Sequence, residues 1–299
     1  MRTTRRQCLG AVAAAVWPLA QAQTQDSATR PLRVVASFSI LADLVANVAG
    51  PAAEVHALVG RDADAHVFQP APADVKRVAQ ADLVVVNGLH FEGWLTRLVQ
   101  TAGFKGRVLV CSDGLAPRRT GAHPDPHAWQ DLASARHYVA RIRDALVQAR
   151  PAQADALRRR AADYTAQIDA LDRQTRADFA ALPPDRRRVV TSHDAFGYFA
   201  AAYGVEFLAA QRWNTDSEPS AADVARLIRQ LRAQRATALF VENISDARLV
   251  QRIAKETGAV VGGTLYSDAL SAPGTAADTY LKLFQHNAQT LLTGLRRSP

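Results

Sequence analysis

Cysteine is nearly absent from this chain of 299 residues, which contains only Cys8 and Cys111. We predict that residues 1–22 form a cleaved signal peptide, so that Cys111 alone would remain in the mature protein. A single cysteine excludes an intramolecular disulfide, even in an oxidising compartment. No lipobox precedes Cys8, so a lipid anchor is not predicted there. The fold must therefore be stabilised by a hydrophobic core, and about 275 residues suffice for two domains of ordinary size.

Long apolar runs are also missing after residue 22, since none approaches the ~20 residues that a membrane-spanning helix needs. The formal net charge is +8, and the predicted signal peptide would remove its three arginines and no acidic residue. The remaining basic residues are scattered, and the two tight runs, at 158–160 and 186–188, lack interleaved aromatic residues. Since a nucleic-acid-binding surface combines a basic stripe with aromatics, the sequence predicts no nucleic-acid partner.

The N-terminal segment has the order of zones found in export signals. Arginines fall within residues 1–6, an apolar stretch covers residues 8–20, and Ala20-Gln21-Ala22 offers a small-x-small cleavage site. Residues 4–9 also resemble a twin-arginine signal, so ordinary secretion and export of the folded protein both stay open. We expect a mature protein that begins near Gln23 and resides in the periplasm.

Strand-like and helix-like patterns alternate twice along the chain. Short apolar runs typical of buried strands occur at 34–36, 55–59, 83–86 and 108–111, and again at 189–190, 207–209, 238–241 and 259–265. Apolar residues at helical spacing lie between them. Such alternation is typical of parallel sheets wound by helices. The sequence therefore predicts an α/β fold with two similar lobes, each a parallel four-stranded sheet, over residues 32–150 and 186–299.

One long helical pattern separates the predicted lobes. Apolar or small side chains recur every three or four residues from Leu157 to Leu182, which marks one buried face. Pro151 suits the first turn of a helix, and Pro183-Pro184 ends the pattern. We predict a single rigid connecting helix over residues 151–182, which would limit the movement of one lobe against the other.

Four candidate metal ligands follow predicted strands: His66, His127, His193 and Asp268. In open α/β sheets the loops beyond the carboxyl ends of the strands meet at a crevice, where ligands bind. Three imidazoles and one carboxylate in such a crevice would form a four-coordinate site suited to a transition metal, above all zinc. Because two of the four come from each half of the chain, the pattern indicates metal binding and delivery rather than catalysis.

Several motifs together resemble the solute-binding proteins of zinc and manganese ABC transporters, the helical-backbone group often called cluster A-I. The matching segments are residues 87–94 (Asn-Gly-Leu-His-Phe-Glu-Gly-Trp), 125–129 (Asp-Pro-His-Ala-Trp), 191–198 (Thr-Ser-His-Asp-Ala-Phe-Gly-Tyr), 218–220 (Glu-Pro-Ser), 240–242 (Phe-Val-Glu) and 266–268 (Tyr-Ser-Asp). The resemblance covers essentially the whole mature chain. It implies two lobes joined by a long helix, with the metal in the cleft between them.

By position, the resemblance assigns the same four ligands and implies capture of Zn²⁺ for an ABC permease of the inner membrane. Manganese members typically carry Glu at the third position and zinc members His, and here the residue is His193. Zinc members often carry a long loop rich in His and acidic residues before the Asp-Pro-His segment, whereas residues 113–126 hold His123 as their single histidine. Manganese or iron therefore stays open as the cargo, and His123 is a candidate for transient metal capture. We expect a monomer, with a zinc metallochaperone as a candidate second partner.

A zinc-dependent hydrolase is the alternative from another functional class. Catalytic zinc keeps one position open for water, and metalloproteases often place two ligands in a His-Glu-x-x-His helix. No such motif occurs here, and four protein ligands would fill a tetrahedral site, so we expect no enzymatic activity. Asp194 and Glu242 are candidates to accept hydrogen bonds from ligand imidazoles, with ion pairs to nearby arginines as the other possibility.

Overall fold

The computed structural model describes residues 30–213, 215–234 and 238–297. The predicted signal peptide lies outside these residues. Residues 32–299 form one compact unit. None of the described helices is both long enough and apolar enough to cross a membrane.

The first half of the unit contains a parallel four-stranded sheet in the order β2-β1-β3-β4. Its strands are β1 (Leu32–Phe38), β2 (Ala53–Val59), β3 (Leu83–Val86) and β4 (Arg107–Val110). Its helices are α1 (Ser39–Ala49), α2 (Pro72–Ala79), α3 (Leu95–Thr101) and α4 (Leu132–Ala149). A small antiparallel hairpin, β5 (Arg119–Thr120) and β6 (His123–Pro124), precedes α4. The central strands β1 and β3 are almost wholly buried and consist mainly of apolar residues, as expected when helices cover both faces of a sheet.

The second half repeats the arrangement with the parallel order β10-β9-β7-β8. The strands are β7 (Arg188–His193), β8 (Glu206–Gln211), β9 (Ala238–Glu242) and β10 (Val260–Leu265). The helices are α6 (Gly197–Tyr203), α7 (Ala221–Gln234), α8 (Ala247–Thr257) and α9 (Tyr280–Arg297). In each sheet the strand order reverses beside the first strand, which places a crevice for ligands at the carboxyl ends of the strands.

A long helix, α5 (Ala154–Ala180), connects the two halves and packs against α1, α4, α6 and α9. Its 27 residues span about 40 Å at 1.5 Å per residue. The predicted helix was slightly too long, because Pro151–Gln153 form a 3-10 turn and Leu182 lies beyond the end of α5. The buried face also includes Asp172, which was not predicted and which accepts a hydrogen bond of 2.8 Å from the Tyr203 hydroxyl.

The largest hydrophobic cluster runs through both halves without a break. It joins residues of β1 and α1 to residues of α5, α6 and α9, including Phe38, Ile168 and Phe284. Two smaller clusters lie on the outer faces of the two sheets. The predicted α/β fold, with two parallel four-stranded sheets and one long helix, is confirmed. The division into domains at residues 150 and 186 stays a prediction.

Candidate metal centre

His66 lies in the irregular loop that follows β2, and its ring is almost wholly buried. Its backbone N–H donates to Asp64 Oδ1 at 2.9 Å, and the preceding carbonyl of Ala65 accepts from Trp94 Nε1 at 2.8 Å. The Phe91 ring meets the imidazole edge-on, with centroids 4.7 Å apart. These contacts fix the His66 ring so that Nε2 faces the crevice side chains described below.

His127 follows the β5–β6 hairpin and directly precedes a short 3-10 helix, Ala128–Gln130. Asp125 Oδ1 accepts from the backbone N–H of His127 at 3.0 Å and lies 2.8 Å from Nδ1 of the same residue. A carboxylate beside Nδ1 places the ring proton there and leaves the Nε2 lone pair available to a metal.

His193 is the last residue of β7 and is fully buried. Glu242, at the end of the neighbouring β9, accepts from the His193 backbone N–H at 2.8 Å and places Oε2 2.6 Å from Nδ1. Burial alone would lower the pKa of His193, but the carboxylates of Glu242 and Asp268 outweigh it and raise that pKa well above its usual value. The Nε2 atom again points away from the supporting carboxylate.

Asp268 lies in the loop after β10 and is fully buried. Burial alone would raise its pKa, but the imidazoles of His127 and His193 outweigh burial and hold the pKa of Asp268 well below its usual range. The carboxylate is therefore ionised at neutral pH and supplies one negative charge to the site.

The four side chains predicted as ligands converge, and their ligand atoms all lie within 4.8 Å of one another. Asp268 Oδ2 is 3.3 Å from Nε2 of both His66 and His193, and Asp268 Oδ1 is 3.7 Å from His127 Nε2. Two atoms bound tetrahedrally to one Zn²⁺ at about 2.0–2.1 Å would be about 3.3 Å apart. The spacing therefore fits one ion held by all four residues.

The atoms that face the centre of this group lack other partners. Nε2 of His66, His127 and His193 and both oxygens of Asp268 are buried without a well-formed hydrogen bond to any described residue. Buried polar atoms are almost always satisfied, so five such atoms facing one another form the pattern expected of a cation-binding site. Within the described ranges, no other group of three or more His, Cys, Asp or Glu side chains is close enough to hold a metal.

Asp125 and Glu92 are two supporting residues that sequence reasoning did not single out individually. Asp125 lies two residues before His127, the spacing at which an Asp side chain accepts from the backbone two positions on. That spacing could have identified it. Glu92 is buried and accepts from Ser37 Oγ at 2.6 Å and Asn87 N at 2.6 Å, which holds the loop carrying Phe91 against His66. Only the tertiary fold brings Ser37 beside that loop.

Glu242 and Asp194 were both predicted as candidates to accept hydrogen bonds from ligand imidazoles, but only Glu242 lies beside one. Glu242 contacts His193 as described, whereas no hydrogen bond or ion pair joins the Asp194 carboxylate to any described imidazole. Burial and the nearby Asp125 raise the pKa of Asp194. His123 is not part of the four-residue group; its exposed ring lies in β6, 5.8 Å from the ring of Trp213, which is in turn 6.2 Å from the His66 ring.

Comparison with known proteins gives a consistent result over nearly the whole chain. Residues 34–294 match the family model described as zinc-uptake complex component A, periplasmic. The metal ABC transporter substrate-binding lipoprotein FimA of Streptococcus parasanguinis is 31% identical over 283 residues, covering 91% of this chain and 92% of that protein. The manganese-binding lipoprotein MntA of Bacillus subtilis is 33% identical over 280 residues, covering 90% and 92%.

Solved structures agree with these matches. The periplasmic zinc-binding protein TroA of Treponema pallidum superposes with a TM-score of 0.85 at 32% identity, covering 89% of this chain and 99% of that one. The Mn-bound periplasmic metal-binding protein of Candidatus Liberibacter asiaticus gives a TM-score of 0.80 at 30% identity, covering 88% and 98%.

Proposed function

Because the chain belongs to the family of substrate-binding proteins of metal ABC transporters, we propose that it captures Zn²⁺ and delivers it to the membrane permease of such a transporter. The ligands would be His66, His127, His193 and Asp268. The observation that carries the proposal is the set of unpartnered atoms at the centre of this group. In this proposal the metal ion is the cargo, which the protein binds and releases.

The donor set favours zinc over manganese. Three imidazole nitrogens are borderline-soft ligands, and for such a site the divalent series places Zn²⁺ well above Mn²⁺ in affinity. Manganese prefers more oxygen ligands, which a Glu in place of His193 would supply. Manganese remains the second candidate, since relatives such as MntA of Bacillus subtilis are named as manganese-binding proteins.

A closed ligand set argues against a hydrolase. Catalytic zinc sites keep one coordination position for water, with a general base beside it. Here four protein ligands converge, and the carboxylates of Asp125 and Glu242 beside them already face Nδ1 atoms of two imidazoles. The family itself consists of metal-binding components of transporters.

Proteins of this family act outside the cytoplasm, and we propose the periplasm as the location of this one. The export zones of residues 1–22 and the small-x-small site at Ala22 support a cleaved signal peptide. The permease and ATPase of the transporter are the implied partners. A monomeric receptor loaded directly or by a metallochaperone fits this role.

Equilibrium competition with a chelator, at equal free Zn²⁺ and Mn²⁺, tests the choice of metal. We expect the protein to prefer Zn²⁺ by at least about 100-fold, and a His193→Glu variant to shift the ratio towards Mn²⁺. His56→Ala, on the exposed side of β2, is a control that should leave both affinities unchanged. Equal affinity of the wild type for both ions, or an unchanged ratio in the variant, would refute the zinc assignment.

Mutation of the ligands tests the site itself. His127→Ala and His193→Ala should each weaken zinc binding by more than about 100-fold, since loss of even a supporting residue costs 10–100-fold. Metal analysis of the protein isolated from periplasm should find about one zinc per chain in the wild type. Wild-type affinity in either variant would contradict the ligand assignment.

A further inference from the structure

The loop that carries Asp268 belongs to the second half of the chain but is held by the first. The carbonyl of Ser267, the residue before Asp268, accepts from Trp129 Nε1 at 2.8 Å and from Gln130 Nε2 at 2.7 Å. Trp129 and Gln130 directly follow the ligand His127. All of these groups are buried.

After Asp268, Leu270 and Ser271 are also held by the first half, whereas the carbonyl of Ala269 accepts from Asn243 Nδ2 of the second half at 3.3 Å. Leu270 donates from its backbone N–H to Ser39 Oγ at 3.0 Å, and its carbonyl accepts from the backbone N–H of Asp62 at 2.9 Å. Ser39 begins α1, and Asp62 lies in the loop that carries His66. Arg61, in that loop too, donates to the carbonyl of Ser271 at 2.7 Å. Hydrogen bonds to the first half therefore flank Asp268 on both sides.

His193 is held differently. Its backbone N–H and its Nδ1 both face Glu242, and the two residues end adjacent strands of the second sheet. Tyr266 also belongs to the second half, since its N–H and carbonyl bond the side chain of Asn287 in α9, at 2.9 and 2.7 Å. Hydrogen bonds to the first half thus begin at Ser267, directly after Tyr266.

We propose that His66, His127 and Asp268 form one preassembled three-ligand platform carried by the first sheet and its loops, and that His193 is the single ligand supplied by the second sheet. Gln130 and Trp129 are then positioning residues, because they hold the backbone of Asp268 against the His127 segment. Capture ends when His193 closes onto a divalent cation already bound to the platform, and release begins when it departs. The inference rests on the proposed metal-binding function and adds the order of ligand engagement.

Two variants that each remove a buried amide separate the two possible anchors of Asp268. Gln130→Met keeps the side-chain volume and removes the donor to Ser267, whereas Asn287→Leu removes both hydrogen bonds to Tyr266. We expect Gln130→Met to weaken Zn²⁺ binding about 10–100-fold, the range for residues that orient ligands. Asn287→Leu should change the affinity less than about threefold, although it loses more hydrogen bonds.

Chelator competition measures both affinities, and thermal unfolding in EDTA measures the accompanying loss of stability. The visible absorption of bound Co²⁺ should change in Gln130→Met, because the carboxylate shifts, and stay unchanged in Asn287→Leu. Trp129→Phe removes the second donor to Ser267 and should also weaken Zn²⁺ binding. This variant tests the proposal if Gln130→Met does not fold. An equal or larger loss of affinity in Asn287→Leu would overturn the proposal.

Ligand rescue tests the role of His193. In His193→Ala the platform should still bind Co²⁺, and added imidazole should restore the wild-type spectrum by filling the vacated position. In Asp268→Ala added acetate should fail to restore it, because the platform then keeps only His66 and His127 to hold the ion before His193 engages. Absence of Co²⁺ binding in His193→Ala, with or without imidazole, overturns the platform. Failure of the wild type to bind Zn²⁺ or Co²⁺ would instead refute the proposed function.

Discussion

At the scale of single residues, two of the three candidate ligand imidazoles, those of His127 and His193, have a carboxylate beside Nδ1. Asp125 lies 2.8 Å from His127 Nδ1, and Glu242 lies 2.6 Å from His193 Nδ1. Such a pairing fixes the tautomer, orients the ring and makes the metal-binding nitrogen more basic. We therefore expect the metal affinity of the proposed site to depend on residues that do not contact the ion.

Replacement of Glu242 tests this dependence. Glu242→Gln preserves the shape of the side chain and one acceptor but removes the negative charge near His193, so we expect zinc affinity to fall about 10–100-fold. Chelator competition at neutral pH provides the measurement. Glu206→Gln is the matched control, because Glu206 on β8 forms a partly exposed ion pair with Arg188 on β7, and this variant should bind zinc like the wild type. An unchanged affinity in Glu242→Gln would mean that the charge behind the ring is dispensable.

The pH dependence of binding follows from the raised pKa of His193. In the metal-free protein the neighbouring carboxylates favour the protonated form of this imidazole, so we expect Zn²⁺ to displace a proton when it binds. Affinity should therefore fall as pH decreases from 7 to 5, and calorimetry in buffers of different ionisation enthalpy should detect about one proton released per zinc at pH 7. Binding without proton release, or full retention of zinc at pH 5, would contradict a protonated His193.

Zinc affinity should fall as the pH decreases, whereas the contribution of His193 to the stability of the metal-free protein should be larger at low pH than at high pH. Because the pKa of His193 is higher in the folded protein than in the unfolded one, its imidazole stabilises the fold at pH values below the unfolded pKa near 6.5. This stabilisation is lost as the pH rises through the folded pKa of His193. The pKa of Asp268 is lower in the folded protein than in the unfolded one, so this carboxylate stabilises the fold at pH values above its unfolded pKa near 3.9. That stabilisation is lost only as the pH falls through the folded pKa. Thermal unfolding in EDTA should thus show a larger difference between wild type and His193→Gln at pH 6 than at high pH.

At the scale of elements, the turn after β3 shows how local strain accompanies the site. Gly88, Leu89 and His90 all have left-handed backbone angles, with φ of 87°, 55° and 65°. Glu92 stabilises the turn by accepting from the N–H groups of Asn87 and Gly88 at 2.6 and 3.1 Å. The turn then places Phe91 against His66.

The strain at His90 can be relieved without loss of packing, because its side chain is exposed. His90→Gly should raise the free energy of unfolding by about 0.5–1 kcal/mol, since glycine adopts a positive φ without the penalty of a Cβ. Urea denaturation of the two proteins measures this difference. His90→Ala keeps the Cβ and should show no gain, and neither change should alter zinc affinity. A stability gain in the alanine variant would assign the effect to loss of the imidazole instead.

At the scale of the whole molecule, we expect the hydrophobic core to form without the metal. The main hydrophobic cluster passes through both halves and includes α5, whereas the four proposed ligand side chains lie at the carboxyl edge of the sheets. The metal should therefore add stability to a protein that is already folded.

Thermal unfolding with and without zinc tests this independence. At a free Zn²⁺ concentration 100 times the dissociation constant, the free energy of unfolding should increase by about 2.7 kcal/mol. EDTA should remove that gain and leave a cooperative transition, and the His127→Ala variant should show only the zinc-free transition. Loss of cooperative unfolding in EDTA would show that the two halves need the ion to fold.

Residue patterns in the sequence determined the elements and the four converging side chains. Apolar runs and helical spacing are local properties, so they identify β1–β4, β7–β10 and α5 to within a few residues. Parallel strands place their carboxyl ends at one edge, which is why the sequence alone predicts that His66, His127, His193 and Asp268 lie close together.

Only the tertiary structure decided what holds those side chains. The contacts of Ser37 with Glu92, of Glu242 with His193 and of Gln130 with Ser267 join residues 55, 49 and 137 positions apart. No spacing rule relates such residues, because the packing of separate elements sets their distance. For the same reason the sequence places Asp268 in the second half of the chain, whereas Ser267 and Leu270, on either side of it, hydrogen-bond to side chains of the first.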